Sequence, residues 1–178
     1  MSSIFAQLTT KDISILMTML DRCDDQTGAF AALLRQKVHN ATVFFRDDIP
    51  ADVVTLNSRV TYRMNGEVHG PHIVVPSQGD DFPDYALSIH TLTGLSLLGL
   101  AEGEAISFEE EAKRHTVSVQ KIEFQPEADL REREMRAIAA TMERPTTEQS
   151  PQVVLFRPRQ KAAVMHVSDD DDPGPFAA

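Results

Sequence analysis

The chain has 178 residues, enough for one ordinary domain with an appended element, and its 42% hydrophobic and 25% charged content predicts a packed core. Its net charge of −10 argues against direct nucleic-acid binding, which rests largely on Lys and Arg neutralising phosphates, and favours a protein partner with a basic face. Aromatic residues at 6%, with no Trp, also exclude a stacking platform for single strands, and a lone cysteine, Cys23, excludes an intrachain disulfide and fits a reducing compartment.

Residues 1–12 have no basic stretch leading into a long apolar core, so no signal peptide is expected. No apolar run approaches the ~20 residues that span a bilayer. The expectation is a cytoplasmic protein without membrane contact.

Thr9-Thr10-Lys11-Asp12 has the form of a capping box, and Ile13, Leu16, Met17 and Leu20 follow at helical spacing. Turn formers occupy 21–28, and a second helix follows with Phe30, Leu33, Leu34 and Val38 on one face. Two amphipathic helices joined by so short a polar turn should form an antiparallel hairpin.

From Ala41 the period changes to that of strands, over 42–45 and 58–64. Asn65-Gly66 is a strong hairpin dipeptide and returns the chain into a strand over 67–75. A polar loop over 77–83 leads to a short strand over 86–89, a compact helix over 93–100, and two more strands over 105–108 and 115–124. In the last strand Val117 and Val119 share one parity while Ile122 and Phe124 take the other, which predicts a bulge.

A surface helix is expected over 129–144, with Met135, Ile138, Ala139 and Met142 as a narrow apolar stripe and Glu127–Arg131 and Glu132–Arg136 as pairs four residues apart. Its apolar face is expected to pack on the domain or on a second copy of the chain. Residues 152–156 could form one further strand between Pro151 and Pro158, and the acidic end, Asp169 to Asp172 followed by Pro-Gly-Pro, reads as disordered.

Each candidate site has a plain alternative. Asp24 and Asp25, at the hairpin tip, could hold Mg²⁺ through oxygen ligands, but Asp is also a good turn residue and adjacent turn residues rarely converge on one ion. His69 and His72 lack the further ligands a zinc site needs. Cys23 lies at a helix C-terminus, where the dipole disfavours a thiolate. The basic run Arg157-Pro158-Arg159-Gln160-Lys161 reads as a solvated face. With no phosphate loop, nucleophile elbow or metalloprotease motif, the residues describe an α+β protein without visible catalytic apparatus, metal or cofactor.

Three groups of residues carry a resemblance. Pro50-Ala51-Asp52-Val53-Val54-Thr55-Leu56-Asn57-Ser58-Arg59-Val60 resembles the start of the C-terminal domain of the nucleoside diphosphate kinase regulators, a branch of the Gre elongation-factor family. Leu97-Leu98-Gly99-Leu100 with Glu102-Gly103-Glu104, and Phe124-Gln125-Pro126-Glu127-Ala128, are similar to later signatures in the same order. The resemblance spans 8–128.

It implies a helical hairpin arm (1–45), an FKBP-like domain of twisted antiparallel sheet around one helix (46–128), and an extension of its own (129–178). It also implies RNA polymerase as partner, with nucleic acid reached only through it. In Gre factors the C-terminal domain grips the polymerase near the rim of its secondary channel, with an acidic loop in the contact, and a long hairpin carries acidic tip residues that hold Mg²⁺ for transcript cleavage. The loop Asp80-Asp81-Phe82-Pro83-Asp84 corresponds to the docking loop, and Thr91-Leu92-Thr93-Gly94 to the neighbouring Ser-Pro segment. The usual proline is Leu92 here, a departure that bears on docking. The arm is short as well: thirteen residues at 1.5 Å each give roughly 20 Å, too little to bring Asp24 and Asp25 to a polymerase active centre. The expected function is a non-catalytic elongation regulator bordering the secondary channel. The alternatives are a peptidyl-prolyl isomerase, for which aromatics are scarce, a transcript-cleavage factor, and an adaptor working through its extension.

Overall fold

A computed structural model describes residues 6–23, 27–77, 83–110 and 113–142. These lie in the first of two compact units, Met1–Glu143; the second, Arg144–Ala178, falls outside the described residues, as do the expected strand over 152–156, the basic run and the acidic tail.

The chain begins with a short strand β1 (Gln7–Thr9), followed by helices α1 (Thr10–Asp21) and α2 (Ala29–His39). The capping box forms as expected: the Thr9 hydroxyl accepts from the Asp12 amide, and the Asp12 carboxylate accepts from the Thr9 amide. Asp12 is buried there, and burial holds its carboxyl above the usual range against the lowering effect of the Thr9 hydrogen bonds. After α2, strand β2 (Thr42–Phe44) pairs with β1 in parallel. Three-residue β1 was missed in the sequence, being too short to show a period. Residues 42–44 therefore belong to this small sheet at the base of the hairpin.

The main sheet contains β3 (Arg59–Met64), β4 (Glu67–Val75), β5 (Ala86–Ser88), β6 (Ala105–Glu110) and β7 (Lys113–Phe124), in the order β5-β4-β3-β7-β6. Asn65 and Gly66 both have positive φ, at 51° and 96°, the backbone that a two-residue turn between antiparallel strands needs. Pairing of β3 with β7 shifts register twice, so Gln120 and Glu123 are extra residues on β7. The parity switch between Val119 and Ile122 thus has the expected cause. The sheet is not wholly antiparallel as the resemblance implied. Strand β5 runs parallel to β4, a pairing that a tight two-residue turn cannot make.

One face of the sheet supplies Val60, Tyr62, Val74, Ile106, Phe108, Val117 and Val119 to the core. Helix α3 (Leu92–Leu97) and the chain after it add Leu95, Leu97, Leu98 and Leu100, and the hairpin adds Leu16, Leu33 and Leu34 to the same cluster. The hairpin helices therefore bury Leu16, Leu33 and Leu34 in the core of the sheet, while Met17, expected on the same face of α1, is exposed. A polar residue accompanies them: Lys37 continues the Phe30, Leu33 and Leu34 face of α2 and is 3% exposed. Its ammonium donates to the carbonyls of Ser96, at 3.0 Å, and Leu98, beyond the end of α3. These are carbonyls that a helix leaves without an internal donor. The base of the hairpin is also tied to this point, since the Gln7 amide donates to the Gly99 carbonyl at 2.9 Å.

Helix α4 (Pro126–Met142) starts three residues earlier than expected, with Pro126 in the first-turn position that needs no N–H. Gln125 donates to the carbonyls of Pro50 and Val53, and Arg131 to those of Asp47 and Ile49. The expected Glu127–Arg131 pair does not form, because Glu127 instead accepts from the Thr55 hydroxyl at 2.6 Å. Glu132 and Arg136 do pair, and Asp129 pairs with Arg133. Beyond this anchored start the helix buries none of its residues, and Met135, Ile138 and Met142 are exposed at 64%, 57% and 81%. Their expected packing on the domain is not found among the described residues: the helix leaves the surface after the 46–56 segment has fixed its first turns.

Two predictions follow from the packing around α3. A Cβ on Gly94 would lie 2.1 Å from the Ser88 carbonyl oxygen and 2.7 Å from its carbon, so backbone would have to move. Gly94→Ala should cost about 2 kcal/mol or more, read as a lower urea midpoint at unchanged slope. For Lys37, burial lowers the pKa from 10.5 to about 7, against a smaller raising effect of Glu104. Between those values the unfolded chain holds a proton that the folded chain has shed, so stability rises with pH; below pH 7 both states are protonated and the full cost of burying the charge remains. From pH 7.5 to 9 the wild type should therefore gain stability over Lys37→Met by about 1 kcal/mol per pH unit. A stability difference independent of pH would contradict this assignment.

Candidate functional site

The two segments singled out in the sequence, 80–84 and 91–94, flank strand β5. Asp80, Asp81 and Phe82 lie outside the described residues, as do Asp24 and Asp25 at the hairpin tip. Pro83 and Asp84 are exposed, and Asp84 forms no ion pair among the described residues. The Pro83 carbonyl accepts from the Ala86 amide at 2.8 Å in a tight turn, and Tyr85, 58% exposed, passes its carbonyl to the Ile73 amide at 2.7 Å. The C-terminal stem of the acidic loop is thus fixed to the sheet edge.

On the other side of β5, Thr91 caps α3: its hydroxyl accepts from the Gly94 amide at 3.1 Å. Leu92, at the position where the resemblance implies proline, is the first residue of the helix. Proline suits that position because its missing N–H is one of the unpaired donors there. Leucine keeps the helical start and also packs its half-buried side chain against the core. Gly94 is buried against the backbone of Ser88, so it shapes the turn from within, leaving Thr91 as the exposed member of the segment.

Ser88 was missed in the sequence, where it reads as an ordinary strand residue. Its hydroxyl donates to the Ser77 carbonyl at 2.6 Å and accepts from the His90 amide at 3.1 Å. Its carbonyl accepts from both the amide and the hydroxyl of Thr91, at 3.1 and 2.7 Å. Ser88 therefore ties the start of the acidic loop to the start of α3. Lys37 holds the other end of that helix and was missed for another reason: a lysine on a helix normally reads as solvated. The available signal was its place seven residues after Phe30, on the apolar stripe of α2.

The remaining polar clusters are structural in their geometry. His69 and His72 both face Tyr62, with ring centroids 5.5 and 5.7 Å away. Among the described residues no three His, Cys, Asp or Glu side chains come together to hold a metal ion, and no helix is long and apolar enough to cross a membrane. The site offers an exposed carboxylate, hydroxyl and phenol beside a rigidly seated helix start.

No family model matches the chain. The regulator of nucleoside diphosphate kinase of Escherichia coli (strain K12) is 36% identical over 101 residues, covering 55% of this chain and 74% of the relative. The protein of the same description from Shigella flexneri matches with the same identity and coverage. Among solved structures, the prokaryotic transcription elongation factor GreA/GreB from Nitrosomonas europaea superposes with a TM-score of 0.52 at 23% identity, over 68% of this chain and 99% of the other. The arrangement of helical hairpin, antiparallel-rich sheet and short helix is therefore a GreA/GreB-like fold. By its identity and coverage, the chain belongs to the family of regulators of nucleoside diphosphate kinase.

Proposed function

We propose that the protein is a non-catalytic regulator of transcription elongation that docks on RNA polymerase beside its secondary channel and competes there with Gre-type factors. The observation that carries the reading is the GreA/GreB-like fold, which matches nearly the full length of an elongation factor. The family and the acidic, contact-type surface around Asp84 and Thr91 support it. In this reading the chain divides by role into a hairpin arm (1–45), an FKBP-like docking domain (46–128) and an extension (129–178). Asp80, Asp81, Phe82, Pro83 and Asp84, with Thr91, Leu92 and Gly94, form or shape the docking surface.

The hairpin is too short for cleavage chemistry. Helix α1 has 12 residues and α2 has 11, so each spans roughly 18 Å at 1.5 Å per residue. Both also bury leucines in the core, which shortens the part free to project. A catalytic ion must be delivered within coordination distance of the scissile phosphate, and this hairpin has no length to spare for that.

Two measurements test the reading. Replacing Asp81 and Asp84 with Lys should abolish binding to core polymerase while leaving the melting temperature nearly unchanged, because surface substitutions away from the core usually shift stability little. Undiminished binding would remove the loop from the interface. A backtracked elongation complex given the protein and Mg²⁺ should show no faster transcript cleavage. Strong cleavage lost in the Asp24→Ala, Asp25→Ala variant would overturn the length argument.

A further inference from the structure

A recess of about 560 Å³ lies between the hairpin and the edge of the sheet. Its size is that of a small-molecule pocket. Ile15 and Met19 of α1 and Phe30 of α2 form one wall, and Pro76 after β4 and His90 before α3 form the other. Arg22 completes the α1 wall: positions 15, 19 and 22 follow one another at helical spacing, so the apolar stripe ends in a guanidinium.

Among the described residues the lining carries a guanidinium and an imidazole. The chain carries 27 Asp and Glu against 17 Lys and Arg, yet no carboxylate is among the described residues that line the recess. Arg22 forms no salt bridge among the described residues, and the His90 imidazole supplies a second donor on the opposite wall. The apolar walls are only half-buried. Such a cavity suits a flat or branched apolar body with an anionic group at one end: the body covers Ile15, Met19 and Phe30, and the anion meets the Arg22 fork.

From this shape and charge we infer that the recess binds a small amphipathic anion, of the class of aryl or branched-chain carboxylates. This is independent of the docking surface, although Pro76 and His90 border the two segments that surface uses. A peptide segment of a protein partner is the rival occupant, and the experiment separates the two.

The full chain, labelled at Ile and Met methyl groups, would be titrated with 2-naphthoate, with 2-naphthalenemethanol as neutral counterpart and with 2-naphthylmethylammonium as cation. The expected result is saturable shifts of the Ile15 and Met19 methyl signals, with the carboxylate binding roughly threefold to tenfold more tightly than the alcohol and the ammonium weakest, as one partly exposed charge pair allows. Arg22→Gln, at an exposed position after α1, should keep the melting temperature and binding of the alcohol but erase the preference for the carboxylate. Thr18→Trp, which fills the recess, should abolish the shifts from both. Absence of saturable shifts, or a carboxylate preference that survives Arg22→Gln, would overturn the inference. So would polymerase binding that falls in Thr18→Trp when no probe binds the wild type, since the recess would then be a protein-contact surface.

Discussion

The amine of Lys37 joins the two parts of this fold. It leaves α2 on the apolar side, crosses the core boundary and donates to carbonyls at the end of α3. Taking an ammonium out of water is costly, and hydrogen bonds to a charged donor recover about 1.5–3 kcal/mol each. The arrangement persists because α3 has only six residues and leads into the buried run 97–100: without a donor its last carbonyls would face leucines. The same contact sets where the hairpin sits, together with the amide of Gln7 on the carbonyl of Gly99. At Gly99 φ is +81°, and a Cβ would meet the Leu8 side chain at 2.9 Å, so only glycine lets the hairpin base approach the end of α3 this closely.

Seen from that tie, the candidate docking surface is the outer end of one short, rigid helix. Its last carbonyls rest on Lys37, and its first turn rests on Ser88 through the Thr91 cap and the close approach of Gly94. An exposed threonine and the stem of an acidic loop are thereby presented from a fixed base, which limits the entropy lost when a partner binds. Complementary charge in such a place governs encounter rate and salt dependence more than final affinity. The hairpin contributes orientation to this surface through its buried leucines.

Much of this was legible in the residues because periods and turn chemistry act locally. The Thr9–Asp12 box, the Asn65-Gly66 turn and the parity switch in β7 each depend on neighbours within a few positions, and each formed as expected. What escaped depends on distant partners. Strand β1 exists because β2 returns beside it after two helices, and the direction of β5 is set by its pairing with β4 rather than by a local turn. Arg131 and Glu127 stand four residues apart and would pair on an isolated helix, but carbonyls of the 46–49 segment and the Thr55 hydroxyl compete successfully for them. Lys37 and Ser88 carry the site's architecture through contacts that span 59 and 11 residues in sequence, respectively. Neither carries a motif.

In the proposed reading this fold occupies the place of a Gre-type factor on the polymerase without performing its chemistry. Competition measures that most directly. A backtracked elongation complex would be supplied with a fixed, subsaturating amount of a cleavage-competent Gre factor and increasing amounts of this protein. The account predicts that transcript cleavage falls toward the factor-free rate as the protein is added, and recovers when the Gre factor is raised. Cleavage that stays constant at saturating protein would contradict it, because two factors on separate sites do not displace one another.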